Sequence, residues 1–345
     1  MKFGLFGGAT AYRAPRGAAP AAPRGAAARS DDSQAYEDFV DAVVEAEALG
    51  YHSVFLVEHH FTGIGQVSAS LNLLTFLAAR TSRIRLGTAV IVVPWHNPVL
   101  LAEQAASVDV LSRGRLDLGV GRGYRPNEFA AFCIPLDEAD ERFEESMALI
   151  RRALSSDERF SHHSARWHFE DIVVEPPPVQ RPHPPLWLAA GRPDSIRKAA
   201  AGGYSLLLDQ FATFDVTLQR FRTYRDAIAA GGRGFDPMTV AVARGIAIVR
   251  DGTERERAIA QRIDSLDRMN RLGRSADGRY VSSMNSDPDL RKAAVEGTLI
   301  GTPGEIVDQL RQLRNGGVEY VLLAGPQGSP RLLHDFAAEV MPAFA

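Results

Sequence analysis

A closed (β/α)8 barrel, the TIM-barrel form of the α/β class, is the fold this sequence predicts, and three observations predict it. Apolar strand-like segments alternate with segments of helical apolar spacing about eight times along the 345 residues. The strand segments are apolar at consecutive rather than alternate positions, as parallel strands covered on both faces are. The competing open doubly wound sheet lacks its fingerprint: Gly119, Gly121 and Gly123 spell GxGxG, but Tyr124 stands where GxGxxG needs its last glycine. A barrel also lets residues 1–345 form a single domain, since this fold commonly takes roughly 200 to 300 or more residues.

The elements follow in order. Phe3–Phe6 is the first strand. Residues 9–33 are rich in Ala, Pro, Arg and Gly without periodicity, the composition of a long mobile loop. Tyr36–Leu49 is a helix because Phe39, Val40, Val43, Val44 and Leu49 recur at helical spacing, and Gly50 ends it. The cycle then repeats as strand Ser53–Val57, helix Leu71–Arg80, strand Ile84–Val93, helix Pro98–Leu111 and strand Leu116–Val120. A helix at Glu141–Leu154 leads to a polar excursion with Trp167, His168 and Phe169 and a Pro-rich connector at 176–185. Strands Leu186–Ala190, Ser205–Leu208 and Val240–Val249 alternate with helices Asp194–Ala201 and Phe214–Ala230. Residues 270–297, poor in apolar side chains, make a second mobile loop, and both loops belong to the carboxyl-end face of the barrel. Thr302, Pro303 and Glu305 start a helix that runs to Asn315, with a hydroxyl at the N-cap, proline first and a carboxylate third. Strand Val318–Leu323 and helix Pro330–Val340 close the chain.

Composition narrows the function. With 42 acidic against 39 basic residues and a net charge of -3, there is no basic field to hold a nucleic acid or an anionic membrane. No apolar run reaches the roughly 18 to 20 residues that span a bilayer. The amino terminus, MKFGLFGGATA, faintly imitates a signal peptide, but its glycine-broken apolar patch reads better as a buried strand, so the expected location is the cytoplasm. The single cysteine, Cys133, excludes an internal disulfide and a cysteine-built metal site. Small-molecule chemistry is the remaining default.

In a barrel, that chemistry sits on the loops leaving the carboxyl ends of the strands. Glu58, His59 and His60 open EHHFTGIG after the second strand; adjacent histidines point in different directions, so at most one faces a ligand, and a purely structural pair is the competing reading. Gly87, Thr88, Ala89 and Val90 follow the third strand, small enough for a flat ligand to approach the backbone or simply for tight packing. Three glycines surround Arg122 after the fourth strand, and Gly191, Arg192 and Ser195 open a helix after the fifth. Both suit an anion, through backbone amides and guanidinium groups, or make a solvated turn and an ordinary helix start. Histidine spacing does not fit a metal site, and no GxSxG nucleophile elbow occurs. Phe61, Trp95 and Tyr124 are apolar rim candidates for contacting a hydrophobic substrate, or are packing residues.

Four strings in register around the predicted barrel, EHHFTGIG, GTAVIVVPWHNPV, SRGRLDLGVGRGYRPNEFAAF and WLAAGRPDS, resemble the bacterial luciferase-like flavin monooxygenases. That resemblance implies a barrel that takes FMNH2 from a separate NAD(P)H flavin reductase, reacts it with O2 through a flavin C4a-hydroperoxide, and oxygenates an aldehyde, ketone or terpenoid substrate. By position, His59 matches the family's catalytic histidine with Glu58 beside it. Ala89 and Val90 match the small pair whose non-prolyl cis peptide lies against the flavin ring. Arg122 and, across a two-residue gap, Arg142 match phosphate arginines, and Gly191, Arg192 and Ser195 match the helix start that completes the cradle. Pairing of two chains into a homodimer is also implied. Residues 9–33 are longer than the family's first loop, Arg192 replaces a frequent serine, and Gly121 replaces the cysteine of light-emitting members, so the resemblance does not extend to an inference of light emission. A deazaflavin-dependent hydride transfer is the nearest alternative, with a metal-dependent barrel hydrolase or a non-catalytic flavin binder as readings from other classes.

Overall fold

The computed structural model describes residues 1–9, 26–62, 67–272, 289–325 and 328–345. In chain order its strands are β1 (Lys2–Gly7), β2 (Ser53–Leu56), β3 (Arg85–Thr88), β4 (Ile91–Val92), β5 (Leu116–Gly121) and β6 (Phe160–His163). They continue with β7 (His168–Ile172), β8 (Leu186–Ala189), β9 (Ser205–Leu208), β10 (Val240–Ile248), β11 (Leu299–Gly301) and β12 (Tyr320–Ala324). The helices of the first half are α1 (Ala26–Ala48), α2 (Ser70–Arg80), α3 (Pro98–Leu111), α4 (Pro126–Ala131) and α5 (Ala139–Ser155). Those of the second half are α6 (Pro193–Ala201), α7 (Phe214–Ala230), α8 (Gly252–Leu272), α9 (Leu290–Glu296), α10 (Pro303–Asn315) and α11 (Pro330–Glu339).

Eight strands pair in parallel as β1-β2-β3-β5-β8-β9-β10-β12, and β12 returns to β1 with Lys2 opposite Tyr320, so the sheet closes into the expected (β/α)8 barrel. Inside it, the rings of Phe55, Trp187 and Tyr320 pack edge to face, with centroids 5.6 to 6.4 Å apart. Asp117 satisfies this aromatic plug at the amino end: it accepts from Trp187 Nε1 at 3.2 Å and from Arg85 Nε and Nη2 at 2.7 Å each. Gly119 is required where β5 crosses β3, since a Cβ there would lie 1.7 Å from the Thr88 carbonyl oxygen. The carboxyl end is therefore the end left for a ligand.

The outer helices carry their own start signals. Asn97 caps α3 by accepting from Val99 N and Leu100 N, ahead of Pro98 at the first position. Thr302 and Glu305 form a full capping box on α10, as their spacing predicts.

Several expectations are corrected. The stretch read as strand Ile84–Val93 is two strands, β3 and β4, interrupted by a cis peptide between Ala89 and Val90. Of the loop expected over 9–33, residues 26–33 are the first turns of α1, where an Ala-rich start favours helix; residues 10–25 lie outside the described residues. Of the loop expected over 270–297, Leu272 still ends α8, and Leu290–Glu296 is α9, capped by the Asp289 side chain accepting from Arg291 N and Lys292 N; residues 273–288 lie outside the described residues. The histidine-containing excursion is an antiparallel hairpin of β6 and β7, and β11 pairs with the end of β10.

Arg115 ties the turn between α2 and β3 to the barrel. Its buried guanidinium donates to Ala78 O, Thr81 O, Ile84 O and Ser112 O, and to Thr81 Oγ1, all within 2.8 to 3.0 Å. Arg115→Met leaves those buried acceptors without donors and is expected to lower unfolding free energy by about 3 kcal/mol. Arg331→Ala, which removes an exposed guanidinium lying 3.5 Å from the half-buried Asp335, should change it by less than about 0.5 kcal/mol. Urea unfolding of the two variants checks this; equal small losses would show that the turn is held by other contacts.

Candidate active site

A cavity of about 1560 Å³ opens at the carboxyl ends of the strands. Its residues come from the exits of seven barrel strands and from α4, α5, α6 and α8. On one side the wall is small and flat: Ala89, Val90 and Gly121 line it, and a Cβ on Gly121 would lie 2.6 Å from Val90 Cγ2.

The exit of β2 separates three polar side chains by direction. Glu58 is 3% exposed, with Oε2 accepting from Val92 N at 2.6 Å and Oε1 from His60 Nε2 at 3.2 Å and His96 Nε2 at 3.0 Å. Burial pushes its pKa up, but the His60, His96 and Val92 donors outweigh burial and hold the carboxyl below its usual range. It is an ionised anchor that joins three rim segments. His59 lines the cavity, as Glu58 does. Its main-chain N–H is held by Val67 O at 2.9 Å, and its Nδ1 lies 3.4 Å from Glu128 Oε1, close enough for charge attraction but not a well-formed hydrogen bond. Burial, aided by the nearby Arg125 charge, lowers the His59 pKa against the opposing pull of Glu128 and Glu58, so the ring is neutral at neutral pH. His60 does not line the cavity; its ring sits among Trp95, Phe132 and Phe61, with centroids 5.3, 4.8 and 5.7 Å away.

Other lining residues are of the kind that could address an anion. Gly191, Arg192 and Ser195 line the cavity at the start of α6, whose first turn has no side-chain cap, and Arg122 faces them from the end of β5 with Asp140 at 2.9 Å. Lys198, one turn further along α6, also lines the cavity and was not legible from any motif. Arg142 is not brought to the cavity. On α5 the residues that line it are Asp140, Phe143 and Glu144, one helical face, whereas Arg142 lies off that face and is held by Glu138 at 2.8 and 2.9 Å.

Of the three aromatic candidates, Tyr124 lines the cavity, while Trp95 and Phe61 do not. Trp95 packs against Phe129 and Phe132, and Phe61 is 62% exposed beside Phe132. Gly63, Ile64 and Gly65 of EHHFTGIG lie outside the described residues. A polar wall comes from α8, where Gln261, Asp264, Ser265 and Arg268 follow helical spacing; the apolar periodicity does not single this helix out. Behind the exit of β9, Asp209 is saturated by Arg220 Nη1 at 2.7 Å and by Phe211 N and Ala212 N. Among the described residues no group of three or more His, Cys, Asp or Glu side chains could hold a metal ion.

The family model described as luciferase-like monooxygenase matches residues 17–320. Curated relatives include 4-hydroxyprotoasukamycin monooxygenase of Streptomyces nodosus subsp. asukaensis, 27% identical over 86% of this chain and 84% of the relative. An FMNH2-dependent dimethylsulfone monooxygenase of Pseudomonas putida is 26% identical over 71% and 70%. The oxygenase component of flavin-dependent trigonelline monooxygenase from Acinetobacter baylyi is 31% identical over 49% and 47%. Among solved structures, monooxygenase RslO1 from Streptomyces bottropensis superposes with a TM-score of 0.80 at 28% identity over all of both chains. The oxygenating constituent of 3,6-diketocamphane monooxygenase from Pseudomonas putida, in complex with FMN, gives 0.75 at 19% identity over 100% and 99%. An F420-dependent secondary alcohol dehydrogenase gives 0.74 at 16% over 100% and 99%; the last two likenesses speak for the fold.

The site's titrations set a pH dependence with a definite sign. Between about 6.5, the ordinary imidazole value, and its lower folded value, His59 binds a proton when unfolded but not when folded, so stability falls as pH falls through that window. Glu58, whose folded pKa is depressed, contributes stability that is present above about 4.5 and is lost as pH drops below it. Urea unfolding across pH is expected to show the upper slope reduced in His59→Gln by up to about 1.4 kcal/mol per pH unit, with the acid loss unchanged. An unaltered upper slope would contradict the buried, neutral His59.

Proposed function

The chain belongs to the luciferase-like monooxygenase family, and from that premise we propose that it is the oxygenase component of a two-component system. It takes FMNH2 from a separate NAD(P)H flavin reductase and uses dioxygen to oxygenate a small hydrophobic substrate of aldehyde, ketone or terpenoid type. The supporting observation is one cavity that joins a flat, small-residue wall at Ala89, Val90 and Gly121 to an anion end at Arg122 and the uncapped start of α6. A flavin mononucleotide needs both, a surface for a planar ring and donors for a phosphate, so the residues present fit it. The FMNH2-dependent and oxygenase-component relatives support the same cofactor and a separate reductase.

Bound there, reduced flavin would supply the electrons that activate dioxygen. This chain's residues do the rest. Arg122, Gly191, Arg192 and Ser195 bind the phosphate, and Ala89 and Val90 lie along the ring. Tyr124 contacts the substrate from the β5 exit. His59, neutral and partly sheltered from water, accepts and returns a proton at Nε2, while Glu58 holds the strand exit that carries it.

Association of two copies is proposed with it: Phe76 on α2 and Leu100 and Leu111 on the adjacent α3 are 53%, 52% and 59% exposed. No helix among the described residues is long and apolar enough to cross a membrane. The lone Cys133 fits a reducing compartment, which makes the cytoplasm the proposed location. The F420-dependent structural neighbour favours one second reading, hydride transfer with a deazaflavin.

Anaerobic titration of the protein with photoreduced FMN, run beside the same titration with F420H2, separates the two. Tight binding of FMNH2 and oxygen uptake that follows are expected; binding of F420H2 alone would overturn the proposal. Arg122→Ala should weaken FMN at least about 10-fold while leaving riboflavin, which has no phosphate, within about 2-fold. Equal losses for both ligands would remove Arg122 from the phosphate site.

A further inference from the structure

The string GYRPNEF brings a second charged pair to the back of His59. Pro126 starts α4, and Glu128 in its first turn points back toward the β2 exit, where it is 2% exposed. One oxygen, Oε1, accepts from His60 N at 2.9 Å, lies 3.4 Å from His59 Nδ1 and lies 3.6 Å from Arg125 Nη1. Arg125 is 0% exposed; among the described residues its Nε and Nη1 have no hydrogen-bond partner, and its Nη2 meets Met269 Sδ at 3.9 Å.

A fully buried guanidinium with so few hydrogen bonds is costly, and its placement calls for a reason beyond packing. A carboxylate alone beside a buried imidazole favours the imidazolium, which cannot accept a proton. Among the described residues, the groups that face His59 are Glu58 from the same β2 exit, Glu128 and Arg125 from the β5 to α4 segment, and the uncharged Met269 from α8 behind Arg125. Glu58 is already saturated by His60, His96 and Val92, so Glu128 is the carboxylate able to engage the His59 ring.

We propose that Glu128 is a positioning residue that fixes the Nδ1–H tautomer of His59, and that Arg125 is its counter-charge, so that Nε2 faces the cavity as a neutral base. The proton taken up at Nε2 leaves an imidazolium whose Nδ1–H points at the Glu128 carboxylate, and its return restores the same tautomer. The catalytic half of this inference rests on the proton-transfer role given to His59 above; the coupling of the three side chains does not.

The test reads the coupling without flavin. In ¹⁵N-histidine-labelled, ligand-free protein, with the His59 signals assigned by their loss in His59→Gln, Nε2 should be unprotonated and Nδ1 protonated near neutral pH. Glu128→Gln, nearly isosteric, should mix the tautomers and move the His59 titration to lower pH. Arg125→Met should move it to higher pH; the downward shift in Glu128→Gln is the one whose sign a general loss of packing, which would expose the ring to water, cannot produce. With substrate, Glu128→Gln should lower kcat about 10-fold to 100-fold while KM stays within about 2-fold, and should carry the acid limb of the pH profile down with the NMR titration. An Nε2–H tautomer in the unaltered protein, or shifts of the same sign in both variants, would overturn the proposal. If Glu128→Gln does not fold, the tautomer in the unaltered protein decides alone: Nδ1–H supports the proposal and Nε2–H overturns it. Full oxygenation by His59→Gln would instead overturn the catalytic role of His59 and leave the coupling to stand on the NMR result.

Discussion

The rim of this barrel depends on a buried carboxylate. Glu58 sits at the end of β2 with donors from its own loop, from β4 and from the turn before α3, and together they keep it charged in spite of burial. Removing one partner of such a set leaves the others buried without a match, which is why the arrangement is rigid. It fixes the exit of β2 against the segment after β3, and so sets the relation between His59 and the small wall at Ala89 and Val90. Arg122 and the start of α6, which also line the cavity, are positioned without it, Arg122 by its pair with Asp140.

The two adjacent histidines show how burial divides labour. His60 carries its ring into an aromatic cluster and gives its charge-stabilising contact to Glu58. His59 faces the cavity with an acid behind it that it touches only loosely, next to a guanidinium that works against protonation. One is a fastening and the other is available for chemistry, although nothing in the pair HH distinguishes them. What separates them is alternation of side-chain direction at a strand exit together with the side from which Glu58 and Glu128 approach.

Much of this was legible in the sequence, because barrels write their pattern in consecutive apolar strands and capped helices. The position of His59, Arg122, Gly191, Arg192 and Ser195 at the carboxyl ends of strands follows from that pattern, and all five line the cavity. Arg142, matched across a gap, does not line the cavity, since a shift of two residues on α5 moves a side chain to another face. Lys198 and the polar face of α8 escaped notice because a charged helical stripe reads as solvated until tertiary structure shows it facing a cavity. Trp95 and Phe61 pack around His60 instead of lining the cavity, a distinction between rim and packing that apolar side chains do not announce.

The central claim is that one cavity seats a planar ring against Ala89 and Val90, a phosphate at Arg122 and the start of α6, and His59 beside the reacting face. A crystal structure of the protein soaked anaerobically with reduced FMN tests all three placements at once. The account predicts the phosphate within hydrogen-bond distance of Arg122 and the Gly191 to Ser195 turn, the ring against Ala89 and Val90, and His59 Nε2 turned toward the cavity. A phosphate held elsewhere, or a ring that does not reach the Ala89 and Val90 wall, would contradict it.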